Sequence, residues 1–226
     1  IIFNLRKEVI LDLKRPMPWD KFKEKIRTIA GFWISTISYK MTSVGDRFII
    51  AALGGVSLLG PYSLSFSISA LGAAFYEPVR LETRFSANSK MLAQHGVDFI
   101  KKDLAKELRY SWYFGIAFSI IVIISTFSLK RFFQGNLNFN FSSILMLTCS
   151  IYGGLSIPHS AANYILYILK NDRKLLIVNY VSLLIFGLVA GIVVFLKEPL
   201  AIMAAPLLAM FSMSILKSIE ARSLIK

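Results

Sequence analysis

Residues 29–53 read IAGFWISTISYKMTSVGDRFIIAAL, and this stretch determines the fold class. It is long and apolar enough for a transmembrane helix, because a bilayer core of about 30 Å needs about 20 helical residues. It also carries Lys40, Asp46 and Arg47. An ionisable group at the bilayer centre costs about 2.5–3.5 kcal/mol on insertion scales. We therefore expect the three charged side chains to face protein or a water-filled path.

The composition of the whole chain is that of a membrane protein. Apolar residues make up 55% of the 226 residues and charged residues 17%, and the mean hydropathy is +0.60. Soluble domains have about 25% charged residues. The net charge of +13 comes from basic residues that lie between apolar blocks. This distribution favours a membrane surface over nucleic acid, so membrane lipids are expected partners and nucleic acid is not.

The sequence contains no pattern typical of catalysis. Its single cysteine, Cys149, excludes an internal disulfide and a multi-cysteine metal site. A phosphate-binding glycine loop, HExxH and GxSxG are all missing, as is an acidic pair at catalytic spacing. We expect no enzymatic activity, no metal and no cofactor. The chain begins at Ile1 without a signal peptide, and we expect it to be a fragment of a longer protein.

Six stretches are long and apolar enough to cross a membrane, which predicts an all-α bundle of six transmembrane helices. They are residues 29–53, 61–80, 110–129, 141–169, 174–196 and 199–217. A basic linker with an approach helix is predicted before them, over residues 1–28, where Pro16-Met17-Pro18 breaks the chain. A short tail, residues 218–226, is predicted after them.

The distribution of Lys and Arg predicts the orientation of these spans. When Arg80, Lys174 and Lys217 at the span ends are counted with the neighbouring segments, the two tails and the second and fourth connections together carry 21 Lys and Arg residues, whereas the other three connections carry three. Cytoplasmic loops are enriched in Lys and Arg. Both termini are therefore expected in the cytoplasm.

The second connection, residues 81–109, is predicted to contain an amphipathic helix. One face is apolar and the other charged, with Val97, Ile100, Leu104 and Leu108 on the first and Lys101, Lys102, Lys106 and Glu107 on the second. Such a helix lies on the cytoplasmic membrane surface. It serves either as an anchor or in the recognition of anionic lipid headgroups.

The charged residues of the first span allow two interpretations. Lys40 and Arg47 are seven residues apart and share a helix face, together with Ser43. In one interpretation Asp46 pairs with a basic neighbour, Arg47 reaches outward to the interface, and the charges only fix helix packing. In the other, the cationic stripe lines an aqueous cavity and meets an anionic substrate.

The remaining polar and proline residues give weaker signals. Glu77 and Arg80 close the second span, where charge costs little, and Pro78 between them marks a kink or a helix end. Pro158 and Pro206 lie mid-span and are further hinge candidates. A packing or hydrogen-bonding role is expected for His159 and Asn163, and close helix packing for Gly187-x-x-x-Gly191 and for the row Ser65, Ser69 and Ala73.

Four short segments resemble the polysaccharide flippases of the multidrug/oligosaccharidyl-lipid/polysaccharide (MOP) exporter superfamily, which includes O-antigen translocases. They are Asp46-Arg47-Phe48-Ile49-Ile50, Leu58-Leu59-Gly60-Pro61-Tyr62-Ser63-Leu64, Glu77-Pro78-Val79-Arg80 and Tyr167-Ile168-Leu169-Lys170-Asn171. The resemblance covers nearly the whole chain as one lobe. Family members have two such six-helix lobes around a central cavity, and this chain is similar to the second.

The resemblance implies flipping of a lipid-linked, undecaprenyl-type glycan by alternating access in the bacterial inner membrane. Partners would be the missing N-terminal lobe or a second copy, together with glycosyltransferases or a polymerase of cell-envelope polysaccharide biosynthesis. Arg47 and Arg80 would bind substrate, and Asp46 and Glu77 would be ion-coupling groups or charge partners, with Asp46 favoured as the structural partner of Arg47. Lys40 is a further substrate-binding candidate on its helical spacing alone. Two alternatives remain open: drug or small-molecule efflux, and a non-transporting scaffold of a polysaccharide-assembly complex.

Overall fold

A computed structural model describes residues 19–133 and 143–225, and within these ranges the chain is helical with no strand. The breaker Pro16-Met17-Pro18 and most of the predicted basic linker lie outside the described residues. The part of the linker from Trp19 onward belongs to the first helix. Part of the third connection, residues 134–142, and Lys226 also lie outside.

Six α-helices, one π-helical turn and one 3-10 turn make up the described structure. In chain order they are α1 (Trp19–Tyr76), a π turn (Glu77–Glu82), α2 (Thr83–His95), α3 (Val97–Phe133), α4 (Ser143–Ile168), α5 (Asp172–Leu196), a 3-10 turn (Pro199–Met203) and α6 (Ala204–Ile225).

Helix α1 is a helical hairpin. Its one non-helical residue is Gly55, with φ 70° and ψ −178°, a conformation that needs glycine. Asp46 and Tyr62 are separated by 16 residues, about 24 Å along a straight helix. Their side chains are nevertheless hydrogen-bonded to each other. The halves before and after Gly55 therefore fold back on one another, where the sequence predicted a loop between the first two spans.

The three hinge candidates lie in different local structures. Pro78 lies in the π turn. Proline has no backbone N–H to donate, and the altered hydrogen-bond pattern of the π turn accommodates this missing donor. Pro158 is buried inside α4. Pro206 lies in the first turn of α6, so its predicted mid-span position is wrong. The 3-10 turn occupies the first residues of that span, and a proline in a first turn interrupts no helical hydrogen bond.

Helix α3 runs without a break from the predicted surface segment into the third span, about 55 Å for 37 residues. The predicted apolar face is confirmed at Ile100, Leu104 and Leu108, which are buried, but not at Val97, which is exposed. Glu107 was predicted on the charged face, but its residue is only 3% exposed. It is buried because the basic side chains of the π turn and α2 reach it.

Helix α4 is the centre of the bundle and packs against α1, α3 and α6. Glycines allow the closest approaches: a Cβ on Gly115 would lie 2.3 Å from the Gly154 carbonyl oxygen, and one on Gly153 would lie 2.6 Å from that of Ser69. Of the predicted row Ser65, Ser69 and Ala73, Ser69 thus takes part in close packing. Gly187 and Gly191 have no atom within 4 Å of an added Cβ, so the prediction that they pack closely is wrong within the described chain.

The bundle is an integral membrane protein. Four helical segments of the described chain are long and apolar enough to cross a bilayer: Leu58–His95, Val97–Ser125, Asp172–Leu196 and Ala201–Ile225. Large apolar side chains cover their outer faces, for example Leu188 at 69% and Phe195 at 85% exposed. The two other predicted spans, residues 29–53 and 141–169, are helical in their described parts but are not among these four segments. The first holds three charged residues, and the second holds five Ser and two Gly together with His159 and Asn163.

Candidate functional site

A cavity of about 510 Å³ opens between the helices at one end of the bundle. Its walls come from the first half of α1, the π turn, α2, α4, α5 and α6. The same end carries the turn between α4 and α5 and the end of α6, where Lys174 of α5 is paired with Glu220 of α6. We call it the basic end, because Arg80, Arg84 and Arg173 also lie there.

Lys217 is the one lysine that lines this cavity. One face of α6 is buried at the spacing of a helix, including Met210, Met213, Ser214, Lys217 and Ser218. Lys217 is therefore turned into the bundle and is only 1% exposed. Eight residues separate it from the end of α6, about 12 Å.

The amide of Asn163 is the polar partner of Lys217. The Lys217 Nζ donates a hydrogen bond of 2.8 Å to Asn163 Oδ1. Within the described parts of the chain, no carboxylate comes within ion-pair distance of this ammonium. A buried cation is costly unless it is paired and hydrogen-bonded. The arrangement leaves a buried amine in the cavity wall, and a negatively charged ligand would stabilise its charged form.

Aromatic and amide groups surround this cation. The rings of Tyr39 and His159 are stacked, with centroids 5.3 Å apart and planes 7° from parallel. Among the described residues, His159 Nδ1 has no hydrogen-bond partner. Asn179 of α5 is 5% exposed and also lines the cavity. The cavity therefore combines aromatic faces with donors and acceptors of hydrogen bonds.

Two carboxylates lie at the cavity mouth. Glu77 and Glu82 line the cavity from the π turn and are both exposed. Ser160 of α4 donates a hydrogen bond to Glu77. Tyr164 packs edge-on against Phe85 and accepts a hydrogen bond of 3.0 Å from Asn88. These contacts hold the π turn and α2 against α4 at the entrance.

A second polar cluster fastens the π turn to α3. The Glu107 carboxylate accepts hydrogen bonds from Arg80 Nε at 2.7 Å and from Arg84 at 3.3 Å. Tyr76 donates a third. The Arg80 guanidinium also lies 5.0 Å from the centre of the Tyr110 ring. Arg80, predicted to bind substrate, is thus held by Glu107 and does not line the cavity.

The charged residues of the first span are not brought together at the cavity. Lys40 is exposed, with its ammonium 6.0 Å from the centre of the Tyr39 ring. Arg47 is half-buried, and its Nε has no hydrogen-bond partner in the described chain. Asp46 is fully buried and accepts hydrogen bonds from the Tyr62 hydroxyl and from the Arg47 backbone N–H. Its hydrogen-bond partner is therefore Tyr62, not the Arg47 guanidinium.

The sequence interpretation missed Lys217 because it counted this residue with the cytoplasmic tail. A signal was present: Lys217 lies seven residues after Met210 and three after Ser214, on one helical face of small and apolar residues. Glu77 is the one predicted site residue that lines the cavity. Among the described residues, no group of three or more His, Cys, Asp or Glu residues is placed to hold a metal.

Comparison of the chain with protein-family models, with curated proteins and with solved structures finds no match. Any assignment of function therefore depends on the chemistry of the site.

Proposed function

We propose that this chain is one six-helix lobe of a carrier that moves a lipid-linked oligosaccharide or polysaccharide precursor across the bacterial inner membrane by alternating access. The observation that carries the proposal is a polar cavity inside a membrane bundle, lined by a buried lysine that has no carboxylate partner among the described residues. Lipid-linked glycans carry a pyrophosphate or phosphate, which a buried cation favours.

The two other predicted spans support six crossings. Several polar groups of the first half of α1 and of α4 point into the bundle, although Lys40 is exposed. Thr36, Tyr39, His159, Ser160 and Asn163 all line the cavity. Polar residues in transmembrane helices usually face the bundle interior or a water-filled cavity. Their polarity is therefore compatible with a membrane crossing.

The proposed orientation places the basic end in the cytoplasm, since basic loops are retained there. The cavity would then be loaded from the cytoplasmic side, where lipid-linked precursors are assembled. Asp46, fully buried in the hairpin, is the candidate for a coupling proton or cation. The second lobe, either a preceding segment or a second copy, would cover part of the exposed apolar surface, for example near Trp33 and Phe48.

An efflux protein for organic cations is the second candidate. The mouth carboxylates Glu77 and Glu82 favour it, since they attract cations. The buried ammonium of Lys217 opposes it, because a cation in the cavity would meet like charge without compensation. A non-transporting scaffold of a polysaccharide-assembly complex is the third candidate, and it would not need a polar cavity.

Reconstitution tests these proposals. The complete carrier, meaning this lobe together with its second lobe or a second copy, is placed in liposomes with a fluorescent short-chain polyprenyl-pyrophosphate glycan, and dithionite bleaches the label in the outer leaflet. We expect the protein to make the inner-leaflet pool accessible as well, and an analogue without pyrophosphate to move more slowly. Ethidium accumulation in the same vesicles reports cation efflux. Bleaching no greater than in protein-free liposomes contradicts the carrier, and ethidium transport alone favours the second candidate.

A further inference from the structure

We propose that the cavity at the basic end binds a single sugar unit that carries a negative charge, a carboxylate or a phosphate, with the charged group against Lys217 and Asn163. This inference rests on the proposed function and identifies which part of the glycan enters the lobe. The anchor is the Lys217 ammonium, which is 1% exposed and bound at 2.8 Å to an uncharged amide oxygen. An anionic group there would give the cation its missing charge partner.

The lining of the cavity favours a sugar over an apolar ligand. Pockets for apolar small molecules are lined mainly by hydrophobic side chains. Here, all but two of the lining residues, Leu81 and Phe85, carry a polar group. A ligand with many hydroxyl groups can satisfy amides, hydroxyls and carboxylates together, since each hydroxyl both donates and accepts.

The positions of the charges give the ligand a direction. Lys217 is buried in the wall, whereas Glu77 and Glu82 lie at the exposed mouth. An anionic group at the mouth would be repelled by the two carboxylates, but sugar hydroxyls would donate hydrogen bonds to them. The stacked Tyr39–His159 pair offers an aromatic surface beside the cation. The anionic substituent therefore points inward and the neutral part of the sugar points toward the mouth.

The size of the cavity limits what enters. At about 510 Å³ it lies within the range of small-molecule sites, roughly 300–1,000 Å³. One sugar with its substituent fits, whereas a long glycan and its lipid would remain outside. The inference therefore predicts selectivity for one acidic sugar unit, and free anions without a sugar ring should bind weakly.

The test is equilibrium binding to the full purified chain in nanodiscs, followed by saturation-transfer NMR. The probes are D-glucuronic acid, D-glucose 6-phosphate, neutral D-glucose and inorganic phosphate. We expect both acidic sugars to bind at least about 10-fold more tightly than D-glucose and than phosphate, because a hydrogen bond to a charged group is worth roughly 10- to 100-fold in affinity. Preference for the carboxylate or the phosphate sugar identifies the anionic group.

Variants assign the preference to the lysine. Lys217→Met removes the cation while keeping the volume, and replacement of a buried charge by an apolar group often preserves folding. It should remove the advantage of the acidic sugars over D-glucose. Asn163→Asp is a near-isosteric change that places a carboxylate beside the ammonium. It should also remove the advantage of the acidic sugars, and it replaces Lys217→Met in the test if that variant does not fold. Lys174→Met, at the same end but outside the cavity lining, should leave all affinities unchanged.

Three results would overturn the inference: equal binding of acidic and neutral sugars, unchanged preference in the folded Lys217 and Asn163 variants, or inorganic phosphate binding as tightly as the acidic sugars. The outcome is separable from the transport assay. Lys217-dependent sugar binding without transport contradicts the carrier function alone. Transport that is insensitive to Lys217→Met contradicts the sugar site alone.

Discussion

Tyr62 donates its phenolic hydrogen to the carboxylate of Asp46 across the hairpin that α1 makes at Gly55. The carboxylate is fully buried, and its second hydrogen bond comes from the Arg47 backbone N–H at 2.8 Å. Removing a donor from a buried carboxylate leaves it partly unsatisfied. We therefore expect Tyr62→Phe to destabilise the protein by roughly 1–3 kcal/mol, measured by SDS or thermal unfolding in detergent.

A double-mutant cycle isolates this contact from the packing of the ring. Asp46→Asn keeps an acceptor of the same shape but removes the charge, so Tyr62→Phe should cost less in the Asp46→Asn background than in the parent. Tyr113→Phe, at an aromatic residue that is 63% exposed, should leave stability unchanged and is the control. Equal costs of Tyr62→Phe in both backgrounds would show that the hydrogen bond does not hold the hairpin.

The Glu107 cluster should fix the π turn to α3. Glu107 is 3% exposed and accepts hydrogen bonds from Arg80, Arg84 and Tyr76. Glu107→Ala should lower stability by roughly 2–3 kcal/mol, since it leaves the buried donors without their acceptor. Hydrogen exchange should rise most in the π turn and α2.

Arg84→Ala is the matched control for this cluster. Its guanidinium is 52% exposed and lies 3.3 Å from Glu107, and exposed ion pairs contribute about 0–1 kcal/mol. We expect a small effect. A loss from Arg84→Ala as large as that from Glu107→Ala would contradict the central position of the carboxylate.

Local patterns predicted the helices and their turns well. The predicted spans 29–53 and 61–80 require a turn between them, and the structure turns at Gly55. The helical spacing of Ile100, Leu104 and Leu108 indicated the face that is buried. These features depend on the backbone freedom of glycine and on helical periodicity, which are properties of short segments.

The site could not be predicted in the same way, because its partners are far apart in the chain. Lys217 and Asn163 are 54 residues apart, and Glu107 and Arg80 are 27 apart. A single sequence shows which face of a helix is apolar, but not which charged residue of another helix lies opposite it. The charges of the first span were predicted as site residues because they are surrounded by apolar residues. Lys217 was not predicted, because it lies near the basic end of its helix.

Glycine substitutions test the packing between α3 and α4. A Cβ on Gly115 would lie 2.3 Å from the Gly154 carbonyl oxygen, a backbone atom that cannot rotate away. Gly115→Ala should therefore destabilise the bundle by about 1–3 kcal/mol. Gly191→Ala meets open space and should be neutral or stabilising by up to about 1 kcal/mol, because alanine favours a helix. Unfolding midpoints of the two variants are compared, and an equal response at both sites would contradict the close approach.

Two lysines at opposite ends of the bundle test the orientation. Lys170, between α4 and α5, and Lys197, after α5, are both exposed and have positive φ angles of 52° and 56°. Their replacement by cysteine carries a similar backbone cost at each site. Basic loops stay in the cytoplasm. A membrane-impermeant maleimide should therefore label Lys197→Cys in intact cells, from the outside. It should label Lys170→Cys only in inverted vesicles. The parent chain, whose one cysteine, Cys149, is buried, should remain unlabelled in both, and the opposite labelling pattern would reverse the orientation.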